Sequence, residues 1–585
     1  MFVQYLRQFL TTPQQRSSRW RTVFWLSLSL TFSVIYSILV LQQAFDGEYV
    51  VQDDARQHIF WMRRFLDPEL FPNDLIANFF ASVEPFGLIA IYRFFISFGF
   101  DPMVINKCLP LVLGIIMTGY VFGIGFEIFP VPMAAFIASL LFNQSIWMKD
   151  IFVAAIASSF SYPLFFGFLY YFLKKSVIPC LIFLILEGLF YPQTVLVSAG
   201  IIFINFIQIK DKKITLISDK KLLKFYLTGL IITSLMLVSY LISSSEYGPI
   251  INVAEARNLP EFQEKGRGSF FSDNPIEYWF LGIRSGLIPR GLFTPVTLCF
   301  GLFLPVLVKF TRRFPLIKQL KNSAFFMQLL FASLSLFFLA HLLLFYLFLP
   351  NRYTSHSFYL LIAVSTGITL TVIIDALLRW VEQPSISLAK NAKIFQNLLA
   401  LGVTTIIAIA VILYPSFLEK FTSPNYKQPR EATLYEFLSQ QPKDTLIASL
   451  SPEADNIPSF AQRSVLISWE YSIPYQVGYH RQIRQRAMDL IDAQYSQNLQ
   501  VLQNFIQTYN VDLILLDGNA FLPYYLTHNH WFRQWEFKAE EVEPILKSDT
   551  PPAVIATLVD LCSVYRTDTF IVVNANCILQ LPQTQ

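Results

Sequence analysis

Charge is what this chain has least of. Of its 585 residues only 14% are Asp, Glu, Lys or Arg, while 54% are hydrophobic; soluble domains carry about 25% charged residues. That balance excludes an ordinary soluble protein and points to a polytopic membrane protein. Thiols are scarce as well. Cys108, Cys180, Cys299, Cys562 and Cys577 are scattered, with no CxxC pair, so no metal-thiolate site is expected. No basic run interleaved with aromatics occurs, and a formal net charge of +4 offers no footing for nucleic acid. Repeats and low-complexity tracts are also missing.

What the chain does have is apolar runs of membrane-crossing length. The first, Val23 to Leu41, follows a polar stretch holding Arg7, Arg16, Arg19 and Arg21. It is too long for a signal-peptide core and no small-residue cleavage site follows, so an uncleaved first span with a cytoplasmic N-terminus is expected. Further runs at about 103–125, 129–147, 152–173, 177–191, 193–209, 223–243, 287–309, 324–348, 354–378 and 396–417 bring the count to about eleven. On that count the basic loops at Lys174 and Lys175, from Lys210 through Lys212 to Lys224, from Lys309 to Lys321, and from Arg379 to Lys393 share the cytoplasmic side. The C-terminus is then outside. The weakest stretch is Glu187 to Pro192, where Gly188 and Pro192 interrupt the apolar run and one broken or re-entrant helix is the alternative.

The expected fold class is therefore a polytopic α-helical membrane protein with a C-terminal extracytoplasmic α/β domain. Residues 1–418 form the transmembrane part, with outer loops 43–102 and 244–286, and 419–585 form the soluble domain. Strands are expected at 445–449, 465–469, 511–517, 554–558 and 569–574, with helices at 430–440, 484–495 and 497–509. Cys562 and Cys577 share this domain. A hairpin over 561–574, turning at Arg566 to Asp568, would set position 562 opposite about 573, roughly 13 Å along the strand from 577, which speaks against a disulfide.

The chemistry-bearing stretch is Gln52-Asp53-Asp54-Ala55-Arg56-Gln57-His58, just beyond the first span. Ala55, Ile59, Met62 and Leu66 form one stripe, which predicts an amphipathic helix on the membrane surface, stopping at Asp67-Pro68. Asp54 suits the N-cap of that helix, with Gln57 completing a capping box. Asp53 is then left over as a general base or as a ligand of a divalent cation. His58 suits pairing with an acidic neighbour or a lipid phosphate better than metal ligation. Asp67, Glu69, Asp74 and Glu84 read as solvated loop charges. In the second outer loop Lys265 to Ser269 is Gly-rich but lacks the strand-to-helix setting of a phosphate loop, and 276–288 reads as an interfacial helix. Arg352 is the only full positive charge in the short outer turn Pro350 to His356, and a guanidinium there is suited equally to hold a phosphate bidentately or to snorkel and bind lipid headgroups. His341, within a span, is expected to face the bundle and bond to a neighbouring helix.

This layout resembles the GT-C superfamily of membrane glycosyltransferases: a first span, an outer loop with an acidic pair, interfacial helices, a many-helix bundle, an arginine at the membrane edge and a closing soluble domain. The resemblance implies inverting transfer of a sugar from a polyprenyl-phosphate donor to an extracytoplasmic glycan, lipid or protein acceptor. It implies Asp53 as base with Asp54 as the alternate, Arg352 on the leaving phosphate with His58 and Arg56 as further phosphate-binding candidates, and a divalent cation (Mg or Mn) on Asp53 as the one cofactor to test. It places the protein in the cell (inner) membrane with its C-terminal domain periplasmic or extracellular. The oligosaccharyltransferase signature WWDYG is absent, and Ser468-Trp469-Glu470-Tyr471 is only an echo of it; no protein mannosyltransferase signature is present. Two other readings compete. A transporter or flippase for a lipid-linked glycan needs ionisable groups along a path through the bundle, and Glu127, Glu187, His341 and Asp375 are thinly spread. In a non-catalytic membrane assembly protein, the acidic pair and Arg352 would point away from one another.

Overall fold

A computed structural model describes residues 2–14, 18–210, 213–242, 246–382, 390–547 and 552–582. Arg16, Lys212, the first residues of the second outer loop and the middle of the 379–393 loop lie outside these. Each expected span contains a helix, though that of 287–309 begins only at Val296, those of 193–209 and 324–348 end at Phe206 and Leu342, and Ile207–Lys210 is a strand. The helices run Arg19–Ala44, Pro102–Ile128, Pro132–Ile146, Ala157–Leu173, Val177–Phe190, Pro192–Phe206, Lys220–Ile242, Val296–Phe303 continued by Leu304–Lys309, Ala324–Leu342, Arg352–Glu382 and Lys390–Ile412. Among the described residues, 6 helices are long and apolar enough to cross a membrane by themselves, and the protein is a multi-pass membrane protein. Four further apolar helices are shorter, among them Val177–Phe190 and Pro192–Phe206. These two meet at Tyr191, where Pro192 occupies the first helical turn and cannot continue the helix before it.

Two stretches depart from expectation. Residues 276–288 hold only a single wide turn, Glu277–Leu281, because Gly282, Gly286 and Pro289 interrupt any longer helix. Within the loop 43–102, Leu75–Val83 and Phe86–Ile96 form a helical pair bent by 112°. Pro85 sits at the bend and caps the second helix.

The longest helix, Arg352–Glu382 (31 residues), spans about 46 Å at 1.5 Å per residue, beyond the roughly 30 Å hydrocarbon core. Both ends therefore carry polar residues. Near its C-terminal end the buried Asp375 takes Arg7 at 3.0 Å and Thr11 at 3.1 Å from the N-terminal helix Phe2–Thr11, and also pairs with Arg379. Its N-terminal end carries Arg352.

The C-terminal part is built on a 5-stranded sheet in the spatial order Ser464–Val465, Leu446–Ser449, Leu513–Asp517, Phe570–Asn574, Ser563–Arg566. The first three strands are mutually parallel, and Phe570–Asn574 pairs antiparallel with both Leu513–Asp517 and Ser563–Arg566. The expected strand at 554–558 is instead part of the helix Val554–Cys562, which buries Ile555, Val559 and Cys562 at helical spacing. The hairpin partner begins only at Ser563. At the far end Asn574 caps a short helix, Ala575–Leu579, that turns Cys577 back toward the sheet. Cys562 and Cys577 are consequently joined in a disulfide with Cα atoms 5.6 Å apart, a correction to the straight-strand estimate. Denatured protein should take up a thiol reagent only at Cys108, Cys180 and Cys299 before reduction, and at all five cysteines after it. With a sequence separation of 15 between the joined residues, reduction should destabilise the soluble domain by about 3 kcal/mol, read from denaturant unfolding of the reduced and oxidised protein.

Candidate active site

The segment after Gln52 is a short helix, Asp53–His58, followed by a 3-10 helix, Phe60–Phe65. Ala55, Ile59 and Met62 are fully buried, as the stripe predicts, while Leu66 is exposed. The partner of that stripe is not the membrane surface. Phe60 and Phe80 pack on Tyr471 at 5.2 and 5.8 Å, and Phe79 stacks on Tyr479 at 3.6 Å, so the loop is clamped beneath the soluble domain. Its polar face is covered too, and Arg56 is only 6% exposed.

A two-residue antiparallel ladder sets the position of the acidic pair. Val51 lies opposite Lys427 and Gln52 opposite Tyr426, on the chain leading from the membrane into the soluble domain. The ladder stops at Gln52, and its side-chain oxygen accepts from the Ala55 N–H at 3.0 Å. Gln52 is thus the N-cap, not Asp54, and the expected capping box is absent; both aspartates fall in the first helical turn. They face different surroundings. Asp53 accepts from Arg56 at 2.5 Å and from Asn425 at 2.8 Å, with Lys427 at 3.5 Å. Among the described residues no basic side chain lies within 4 Å of Asp54, and it lines a cavity instead.

That cavity has a volume of about 1140 Å³ and is bounded by several separate stretches of chain. Asp54 comes from the first loop, Lys149 and Asp150 from the turn after Pro132–Ile146, and Arg284 and Arg290 from the second outer loop. Arg352, His356 and Tyr359 come from the first turns of the long helix, and residues 420–428 form the remaining wall. Lys149 sits 4.4 Å over the Tyr359 ring and donates to the Arg290 carbonyl at 3.1 Å. Arg284 is tethered by the carbonyls of Ser269 and Arg267 at 2.9 and 3.2 Å. Arg352, Arg284 and Lys149 have no carboxylate within 4 Å among the described residues, and Arg352 Nε has no hydrogen-bond partner. Burial pushes the Asp54 carboxyl up and the nearby Asp150 charge adds to this, against opposing pulls from His58 and Arg352. Burial pushes the Lys149 ammonium down to about 8. The arrangement brings an unpaired carboxylate with raised proton affinity into one space with several unpaired cations.

Of the residues singled out by sequence, Asp54 and Arg352 meet in this cavity, whereas Asp53, Arg56 and His58 do not line it. Arg56 binds Asn456 at 2.7 Å, Asp53 at 2.5 Å, Glu470 at 3.5 Å and Asp455 at 3.8 Å. His58 pairs with Glu84. Glu84 and Asp74 are buried rather than solvated, and Asp74 caps the helix Leu75–Val83. Asp67 and Glu69 do stay near the surface, both on Lys443. His341 bonds the Ser285 carbonyl at 3.0 Å in the second outer loop, not a neighbouring helix. Lys149, Asp150 and Arg284 were missed. The signal for the first two was available: they are the only charges in the short gap between the runs 129–147 and 152–173. Among the described residues no group of three or more His, Cys, Asp or Glu side chains could hold a metal ion.

No protein-family model matches the chain, and no curated protein matches it. Solved structures do. The oligosaccharyltransferase of Archaeoglobus fulgidus, tethered to an acceptor peptide with an NVT sequon, aligns with TM-score 0.52 at 13% identity over 90% of this chain and 72% of its own. The same archaeal enzyme in complex with an inhibitory peptide and a dolichol-phosphate gives TM-score 0.50 at 13% identity, again over 90% and 72%. ArnT from Cupriavidus metallidurans in the apo state gives TM-score 0.44 at 11% identity, over 96% of this chain and 99% of its own. At such identities the likeness is one of fold: the chain shares its fold with the archaeal oligosaccharyltransferase.

The His58 and Glu84 pair carries a pH signature. Burial pulls the imidazole down, but the Glu84 carboxylate with its hydrogen bond, and Asp54 beyond it, outweigh burial and hold His58 above its ordinary range. A raised histidine contributes stability that is complete below its unfolded pKa of about 6.5 and is lost as pH rises through the folded value. The melting temperature of the solubilised protein should therefore fall as pH rises above about 6.5, and Glu84→Gln should flatten that slope. An unchanged slope in the variant would refute the assignment.

Proposed function

We propose that the protein is a membrane-embedded glycosyltransferase that moves a sugar from a polyprenyl-phosphate donor to an acceptor on the outer side of the membrane, with Asp54 as its base. The observation that carries this reading is the convergence of Asp54 and Arg352, both without ion-pair partners among the described residues, on one cavity at the outer end of the long helix. The dolichol-phosphate bound by the archaeal neighbour supports a lipid-phosphate donor. So do Ile283 and Ile288, which line the cavity, and Trp279, Phe280 and Leu281 beside them in sequence, all of them exposed, a surface suited to an isoprenoid chain. The outward orientation rests on the basic loops gathered at the opposite ends of the spans. Against a transporter, the cavity's unpaired ionisable groups lie at one end of the long helix, while Asp375 near its other end is paired with Arg7 and Arg379 and the buried Glu187 accepts from Ser198. Against a non-catalytic assembly protein stands the shared cavity itself.

In the reaction, the acceptor hydroxyl attacks the anomeric carbon and gives its proton to Asp54. The bond from that carbon to the phosphate oxygen breaks, and the electron pair leaves with the lipid phosphate toward Arg352 and Arg284. Attack from the side opposite the leaving group inverts the anomeric centre. Asp150 makes Asp54 the better base by repelling its ionised form. Asp53, neutralised by Arg56 and Lys427, serves as a brace. Among the described residues no group of three or more His, Cys, Asp or Glu side chains is placed to hold a metal, so a divalent cation here would rest on two carboxylates and water. Asp54 and Asp150 are both carboxylates without basic partners among the described residues, and Mg or Mn takes oxygens with water filling the other positions. Bound there, such an ion would neutralise charge on the donor phosphate.

In proteoliposomes given a polyprenyl-phosphate sugar, Asp54→Asn should lower transfer by at least about 100-fold and Arg352→Ala by about 100-fold or more. Asp53→Asn should retain transfer within about tenfold, as expected of a residue outside the reacting atoms. Undiminished turnover in Asp54→Asn would sink the assignment. If the carboxylate pair holds a cation, chelation should stop transfer, and Asp150→Asn should raise the Mg concentration needed to restore it.

A further inference from the structure

We infer that Glu470 of the soluble domain is a positioning residue for Asp54, so that this domain forms part of the active site and is not an appendage to it. The consequence for transfer rests on the function proposed above; the geometry does not. Glu470 is half-buried at the seam of three stretches of chain. Its carboxylate lies 2.6 Å from Arg267 of the second outer loop and 3.5 Å from Arg56 of the first. Its backbone carbonyl accepts from Arg267 at 2.9 Å and also from Gln57. The next residue, Tyr471, donates its hydroxyl to the Arg56 carbonyl at 2.8 Å. Glu470 therefore holds the helix Asp53–His58 at Arg56 and Gln57, two and three residues beyond Asp54.

The same contacts reach the opposite wall of the cavity. Arg267, fixed by Glu470, presents its own carbonyl to Arg284, one of the cavity cations. A single carboxylate thus ties the carboxylate side of the cavity, through Arg56, to a cation side, through Arg267. The aspartate it positions sits on a helix of only six residues, too short to hold its direction alone. Displacement of a reacting group by about 1 Å can cost about 100-fold in rate.

The test uses the full chain, with two readouts. In a background lacking Cys108, Cys180 and Cys299, a single cysteine replaces Asp54, or replaces Ser355 on the long helix as a control lining the same cavity. Each is labelled with an anionic methanethiosulfonate reagent. Glu470→Gln should change the labelling rate at position 54 and leave that at 355 unchanged. In the otherwise unmodified enzyme, Glu470→Gln should lower kcat by about 100-fold, with the KM for the polyprenyl-phosphate sugar within about twofold of the parent. Should Glu470→Gln fail to fold, Arg267→Lys tests the same link. Equal changes at 54 and 355 would mean that the whole cavity has collapsed and would overturn the inference, as would parent values for both labelling and kcat. If Asp54→Asn transfers as well as the parent, the functional proposal falls, and labelling alone decides whether Glu470 positions residue 54.

Discussion

A guanidinium taken out of water is stable only where anions and acceptors surround it, and Arg56 finds them on separate parts of the chain. Asp53 comes from its own helix, and Asn456, Asp455 and Glu470 come from the soluble domain. Breaking such a buried set by removing one partner typically costs 3–5 kcal/mol, about the price of a large core truncation. The first loop and the soluble domain are accordingly one unit. The short ladder from Val51 and Gln52 to Tyr426 and Lys427 would be marginal by itself, and it persists because Arg56 and the aromatic seam around Tyr471 hold both sides together.

That pairing also divides the labour of two adjacent aspartates. Asp53 is committed to Arg56, Asn425 and Lys427, and its charge is compensated where it stands. Asp54, one residue on and about 100° around the helix, points into the cavity and keeps its charge uncompensated. The ion cluster therefore does more than fasten a loop: by occupying the first carboxylate it determines which of the two faces the substrate side.

The bundle was legible in sequence because hydropathy along the chain is a local property, and each apolar run holds a helix. The stripe Ala55, Ile59, Met62 was legible for the same reason. What covers it was not, since amphipathicity says that a face is buried and says nothing of whether lipid or protein buries it. The choice between Asp53 and Asp54 was beyond local reach for a related reason. Local propensity favours Asp54 as the cap, but the ladder to Tyr426 ends the extended chain at Gln52, whose own side chain does the capping. Likewise the hairpin at 563–574 could be foreseen, but not the helix after Asn574 that swings Cys577 to Cys562. In each case the missing information lay in a distant segment.

Scarcity of charge gives the cavity its weight. In a chain with only 14% charged residues, the buried Asp375 is paired with both Arg7 and Arg379. Arg352, Arg284 and Lys149 are instead gathered in one space without carboxylate partners, beside a carboxyl whose proton affinity burial and Asp150 have raised. Unpaired charges are costly where water is limited, and folding alone offers no compensation for keeping several of one sign together. A ligand that carries negative charge supplies that compensation, and a proton taken up by Asp54 as the ligand reacts would relieve the remaining repulsion from Asp150. The same electrostatic imbalance thus accounts for both binding of a phosphate and acceptance of a proton, the two things that sugar transfer from a lipid phosphate requires.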